Sequence, residues 1–181
     1  MSRISLVGRS TAAGAAREAF ERKIAERGNI PNMYRAFGHR PWLLTTMDAH
    51  FAAVMGSGNV PMKLKEMLAL QTSLENECRY CAASHTELAE RTGASPAQIA
   101  SLLEFEAGPF TDKEKAALRF GLQMTRDSNR IPHAAFAALR EHFDEGEIVE
   151  IAAVVGLFAY FNRFTNALGL EPTRAGEGAD S

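Results

Sequence analysis

Residues 61–90 read PMKLKEMLALQTSLENECRYCAASHTELAE, and the way this stretch folds decides the architecture of the chain. Behind Pro61, a residue suited to a first helical turn because its missing N–H would be unpaired there, Leu64, Met67, Leu68 and Leu74 recur at helical spacing. A second helix-forming run begins at Cys78. Between the two lies the polar triplet Glu75-Asn76-Glu77. A helix continuing through it would hold Glu66 and Cys78 roughly 18 Å apart, at 1.5 Å rise per residue. A reversal at the triplet instead makes an antiparallel helical hairpin. Glu66 and His85, almost equidistant from the turn, then come level across it, where a carboxylate can orient and charge an imidazole.

Outward from this hairpin the periodicity stays helical. No apolar/polar alternation of strand type and no Asn-Gly or Asp-Gly hairpin signal occurs, so the fold class is all-α. A first amphipathic helix is expected over about Thr11–Arg27, with Phe20 and Ile24 on one face and Gly28 as its stop. A second follows Pro41, with Leu43, Met47, Phe51 and Val54 in one stripe, and ends at a flexible Gly56–Asn59 segment. Gly93 closes the cysteine-bearing helix, and Ser95-Pro96 opens a short one. Thr111-x-x-Glu114 is a capping box for a helix to about Arg126, Pro132 starts another, and Asp144-x-x-Glu147 opens the last.

That last helix carries Ile148, Ile151, Val155 and Phe158 in one stripe and Ala152, Val154, Leu157 and Phe161 on other faces, as a central or interfacial helix would. Glu150, Asn162, Thr165 and Gly169 share the spacing of Glu66, Cys78, Cys81 and His85. This register suggests a degenerate internal repeat of the hairpin, with only one copy chemically equipped. The expected organisation is one domain over 1–170 and a disordered tail over 171–181, where Pro, Gly and acids mix.

Composition narrows the function. With 181 residues, 46% of them apolar, the chain is long enough for a buried core. A formal net charge of −2 without a basic block gives no footing for nucleic acid. The N-terminal residues carry no signal-peptide pattern. The longest apolar run, Ile151–Phe161, falls short of the roughly 20 residues that span a bilayer, so a cytoplasmic protein without a membrane partner is expected.

The only two cysteines are Cys78 and Cys81, too close to staple a long loop. Cys78, Cys81 and His85 lie at i, i+3 and i+7 of one helix and share a face. His85 is one turn beyond Cys81, where it can take the thiol's proton or stabilise the thiolate. Cys78 stands at the helix start, where unpaired N–H groups and the helix dipole favour an anion. Both influences lower a thiol pKa from its ordinary value of about 8.5. The arrangement is a Glu–His–Cys relay of the kind that activates a nucleophile.

The pattern Glu66-x11-Cys78-x2-Cys81-x3-His85 resembles the active-site signature of the AhpD-like alkylhydroperoxidases in the carboxymuconolactone decarboxylase-like superfamily. The likeness runs from Ile30-Pro31-Asn32 through the Pro61 helix to Asn162-Arg163-Phe164 and Ala167-Leu168-Gly169. The resemblance implies an all-helical fold and trimeric or hexameric homo-oligomers. It also implies reduction of small hydroperoxides through a reversible Cys78–Cys81 disulfide, with Cys81 attacking, Cys78 resolving, His85 as base and Glu66 orienting it. No bound cofactor and no metal are implied; an external dithiol or redox protein supplies the electrons. Where AhpD-type relatives carry a histidine between the cysteines this chain has Tyr80, a supporting residue for the site or a packing one. The decarboxylase branch lacks the cysteine pair.

Other readings stay open at this level. Two cysteines, His85 and Glu66 could ligate zinc, although the i, i+3, i+7 pattern differs from paired zinc knuckles. Both cysteines could be buried small hydrophobes, a reading that Arg79, Tyr80 and the polar turn oppose for Cys78. The same dithiol could serve a non-peroxide disulfide, or a redox-sensing oligomeric module without turnover. His39, His50, His133 and His142 read as surface or capping residues. Met47, Met55, Met62, Met67 and Met124 read as core fillers. Asn162 and Arg163 read as residues that hold the hairpin or meet a partner subunit.

Overall fold

A computed structural model describes residues 2–56 and 58–179. Ser57, within the segment read as flexible, and Asp180 and Ser181, within the tail read as disordered, lie outside the described residues. The described residues are all-helical, without a strand. The α-helices are α1 (Gly14–Arg27), α2 (Asn32–Phe37), α3 (Pro41–Met55), α4 (Met62–Glu75), α5 (Arg79–Arg91), α6 (Pro96–Ala100), α7 (Asp112–Asp127), α8 (His133–Arg140) and α9 (Glu145–Leu168). A 3-10 turn occupies Phe105–Ala107. Contacts divide the chain into two compact units, Met1–Ala53 with Phe164–Ser181, and Val54–Arg163.

In the first unit, α1 begins at Gly14 rather than Thr11, because the Thr11 hydroxyl closes a tight turn with Gly8 upstream of the helix. The short α2 has no long apolar period to announce it and was not expected. On α3 the buried positions are Leu44, Met47 and Met55, whereas Leu43 is 47% exposed; the stripe is rotated by one residue from the expected one. Buried Tyr34 donates its hydroxyl to the Asp48 carboxylate, which also pairs with Arg22 and Lys23. Burial first, then the Asp48 bond, pushes the Tyr34 hydroxyl far above its ordinary range. Phe37 stacks on Phe164 with ring centroids 4.3 Å apart.

Residues 171–179 form specific hydrogen bonds within the first unit. The Asn32 side chain donates to the Glu171 carbonyl and the Glu177 carboxylate, the Asn32 N–H donates to the Thr173 hydroxyl, and the Ile30 N–H donates to the Glu177 carbonyl. The tail supplies acceptors for buried backbone and amide donors, a long-range pairing that composition cannot register.

In the second unit α4 is the innermost element: ten consecutive residues, Leu64–Ser73, are buried. It packs against α5 and α7. Met62, read as a core filler, is 40% exposed at its start. The Ser95 and Thr111 capping boxes form with Gln98 and Glu114, and Asp144 and Glu147 exchange backbone and side-chain bonds in the same way at the start of α9.

A polar clasp that the sequence reading missed fixes the entry to α4. The Lys65 ammonium, 1% exposed, donates to the carbonyls of Val54 and Gly56 and pairs with Glu150 at 3.1 Å. Glu150 in turn accepts the N–H groups of Asn59 and Val60. A side chain at Gly58 would start 2.2 Å from a Glu150 oxygen, so glycine lets the backbone approach the carboxylate. Burial alone would raise the Glu150 carboxyl, but these bonds and the Lys65 charge hold it below its ordinary value.

The duplicated hairpin does not form. Glu150 and Asn162 lie on one uninterrupted helix, α9, because residues 151–161 contain no turn-forming triplet like Glu75-Asn76-Glu77. At 24 residues α9 exceeds the expected apolar run and is long enough to cross a membrane, but half of its most apolar window is buried inside the chain.

Candidate functional site

The site is built at the junction of α4 and α5. Helix α4 ends in a Schellman motif: the Cys78 N–H donates to the Ser73 carbonyl at 2.8 Å and the Glu77 N–H to the Leu74 carbonyl at 3.0 Å. The residue that turns the chain is Glu77, at φ 51, the one described non-glycine residue in the left-handed region. That conformation costs an L-residue about 1–2 kcal/mol, so the surrounding bonds must impose it. The reversal delivers Cys78 directly as the N-cap of α5.

Cys81 is the third residue of α5, so the two cysteines occupy the positions that Ser95 and Gln98 occupy in α6. N-cap and third-residue side chains meet at one helix end, which is why a capping box can close. Here the Cys81 N–H donates to Cys78 Sγ at 3.5 Å. No disulfide joins the two. Contrary to the expectation from its polar neighbours, Cys78 is buried, 1% exposed against 4% for Cys81, because the capping role folds its side chain back over the helix start.

The hairpin brings Glu66 and His85 together as their equal distances from the turn predict. Glu66 Oε2 accepts from His85 Nδ1 at 2.6 Å, and both side chains are buried. A carboxylate at Nδ1 fixes the tautomer that leaves Nε2 available for proton exchange. Phe158 of α9 sets its ring edge-on to the imidazole, with centroids 4.4 Å apart. Cys81 and His85 are one turn apart on α5, the separation at which helical side chains are neighbours. Tyr80 is buried on the same helix. The four catalytic candidates thus lie on one hairpin.

Of the residues that brace the turn, Asn162 reads from the sequence as one that holds the hairpin or meets a partner subunit, whereas Ser73 and Arg126 are not singled out there as braces. Asn162, fully buried on α9, donates its amide to Ser73 Oγ at 3.1 Å and accepts from the Asn76 amide at 3.0 Å. Ser73 Oγ also donates to the Ala69 carbonyl. On the outer side Arg126 of α7 grips the Glu75 carboxylate with two bonds of 2.7 and 3.0 Å. A lone asparagine in the apolar run of α9 was the available signal for the first of these, and its partners lie 86 and 89 residues away. His39, 34 residues from its partner, contacts the Ser5 carbonyl; His50 and His133 are exposed. Among the described residues no group of three or more His, Cys, Asp or Glu side chains is gathered as a metal ion would require.

Comparison with known proteins places this geometry. Residues 41–123, which include the whole hairpin, match the Carboxymuconolactone decarboxylase family. The uncharacterized protein YdfG of Bacillus subtilis (strain 168) is 29% identical over 107 residues, covering 58% of this chain and 73% of its own length. The AhpD-core, peroxidase-related protein of Ralstonia eutropha JMP134 superposes with a TM-score of 0.87 at 26% identity, covering 95% of this chain and 92% of that one. The debrominase Bmp8 shares the fold, with a TM-score of 0.82 at 23% identity over 94% of this chain and 92% of its own. The family match on the hairpin and the near full-length likeness to the AhpD-core protein agree with the cysteine, histidine and glutamate geometry.

Proposed function

We propose that the protein is a thiol-dependent peroxidase that reduces small hydroperoxides through a reversible Cys78–Cys81 disulfide. The observation that carries this reading is the pairing of two thiols at one helix end, Cys81 N–H to Cys78 Sγ at 3.5 Å, next to a buried carboxylate–imidazole pair at 2.6 Å. His85, oriented by Glu66, takes the Cys81 proton. The Cys81 thiolate attacks the distal peroxide oxygen; the O–O bond breaks, an alcohol leaves after gaining a proton, and Cys81 becomes a sulfenic acid. Cys78 then attacks the Cys81 sulfur. An S–S bond forms, the S–O bond breaks, and the hydroxyl departs as water with the Cys78 proton. An external dithiol reduces the disulfide and is itself oxidised to its own disulfide, which closes the cycle. No bound cofactor enters these steps.

Burial of both thiols supports a selective rather than a scavenging role, since a reagent must fit the site to reach sulfur. We also propose a homo-oligomer, on the grounds that α9 leaves Val149 67% and Tyr160 49% exposed; light scattering at micromolar concentration tests it, and a monomer refutes it. The test of the activity is steady-state consumption of hydrogen peroxide and tert-butyl hydroperoxide with dithiothreitol, glutathione or a redox-protein dithiol as reductant. Turnover that stops in Cys81→Ser supports the reading. Reduction of small disulfides without peroxide consumption would assign the dithiol to disulfide exchange instead.

A further inference from the structure

We infer that Asn162 is a positioning residue for the resolving thiol, so that α9 governs disulfide closure separately from attack on the substrate. The inference rests on the redox reading of Cys78 and Cys81. Its ground is a chain of bonds that ends on Cys78. The Asn162 carboxamide spans the α4–α5 turn, held on one side by the Asn76 side chain at 3.0 Å and on the other by Ser73 Oγ at 3.1 Å. Ser73 is also the residue whose carbonyl receives the Cys78 N–H at 2.8 Å. Asn76 is the C-cap of α4 and precedes Glu77, whose left-handed backbone needs outside support. Asn162 therefore clamps both flanks of the strained reversal that points Cys78 at Cys81.

The same helix face makes a second contact with the site. Phe158, one turn before Asn162, packs edge-on against His85. Helix α9 thus references the thiol pair to the imidazole at two points: Phe158 touches the base that serves Cys81, and Asn162 touches the turn that serves Cys78. The two halves of the reaction depend on different contacts. Attack by Cys81 needs His85 and Glu66, which pair with each other, whereas the Asn162 carboxamide bonds to Ser73 and Asn76 at the turn. Closure needs Cys78 Sγ aligned on the Cys81 sulfur, and intramolecular rates fall steeply when such alignment is lost.

The test separates these halves. The reduced full chain, as wild type, Asn162→Ala and Asn76→Ala, receives one equivalent of hydrogen peroxide with and without dimedone, and intact mass is followed in time. Expected in both variants are consumption of reduced Cys81 within about twofold of wild type and closure slowed about tenfold, seen as dimedone adduct in place of the two-proton loss. Asn76 is only half-buried, so its variant removes one arm of the clamp with less risk to folding. A second arm needs no peroxidase activity: Cys81 is loaded as the glutathione mixed disulfide, and release of glutathione by Cys78 is timed. Slowed release there, in a protein that never consumes peroxide, sustains the clamp and sinks the peroxidase reading. Closure at the wild-type rate in both variants, or equal slowing of attack and closure, overturns the inference.

Discussion

Two stretches of this chain share one spacing and fold differently. Glu66, Cys78, Cys81 and His85 sit on a hairpin of two helices, whereas Glu150 and Asn162, in the same register, sit on the single helix α9. The difference is three residues long. Glu75-Asn76-Glu77 offers a C-cap and a left-handed turn that leads into the capping thiol of Cys78, while the corresponding residues of α9, Ala159-Tyr160-Phe161, extend a helix and bury only Phe161. Consequently the two glutamates do unrelated work. Glu66 meets an imidazole 19 residues away, and Glu150 meets a buried lysine and a loop backbone. The stretch that stays helical braces the one that turns, through Phe158 and Asn162.

The largest expected effect comes from the position that has no chemical counterpart on α9. Cys81→Ser should lower peroxide turnover by ~10³-fold or more, because a hydroxyl near neutral pH is not a usable nucleophile toward peroxide. Coupled-assay turnover measures it. Residual activity above a hundredth of wild type would move the attacking role to Cys78.

Next come the two glutamates, which a matched pair of substitutions should separate. Glu66→Gln removes the carboxylate that orients His85 toward its role as Cys81's base and should cut alkylation of Cys81 at neutral pH about threefold, in a Cys78→Ser background. His85→Ala should cut it about tenfold, and the double variant little further, since the pair acts as a unit. Glu150→Gln should leave alkylation unchanged and instead cost about 2 kcal/mol of stability, because it strands the buried Lys65 ammonium. Additive losses at Glu66 and His85, or a slower Cys81 in Glu150→Gln, would erase the distinction between the two stretches.

The same glutamate carries a pH signature of known sign. Hydrogen bonds and Lys65 hold the Glu150 carboxyl below its ordinary value, against the opposing effect of burial. A depressed carboxyl stabilises the fold above its unfolded value, about 4.3, and that contribution is lost as pH falls through the folded value. The Tm gap between wild type and Glu150→Gln should therefore be constant above about pH 5 and narrow below about pH 4.3. A gap that widens in acid would mean that Glu150 is stabilised protonated.

How much of this was legible in the sequence follows from the range of each interaction. The caps at Ser95, Thr111 and Asp144 are three-residue patterns and could be read directly. The Glu66–His85 contact was legible because a hairpin converts distance from a turn into position across it. The burial of Cys78 was not, since it follows from the thiol's capping role and not from its polar neighbours. Nor were the Lys65–Glu150 clasp or the fastening of 171–179 by Asn32, whose partners have no periodic relation in the chain.

The smallest expected effect lies in the ends of α4 and α9, where both stretches use the same stop with different residues. At α9 the Leu170 N–H donates to the Thr165 carbonyl and the Gly169 N–H to the Asn166 carbonyl, with Gly169 at φ 62. At α4 the equivalent bonds run from Cys78 to Ser73 and from Glu77 to Leu74, with an exposed glutamate at φ 51 where glycine is the comfortable residue. Glu77→Gly relieves the strain but adds freedom to the unfolded chain, for a net gain of about 0.5 kcal/mol, or about 1–2 °C in Tm. Gly169→Ala should lose about 1 kcal/mol, since it adds the strain and nothing relieves it. Closure of the Cys78–Cys81 disulfide should stay within about twofold of wild type in Glu77→Gly, because the backbone bonds and the Asn162 clamp hold the turn. Loss of stability in Glu77→Gly would show that the glutamate side chain itself supports the reversal, and slower closure would show that the strain at this one residue helps to aim Cys78.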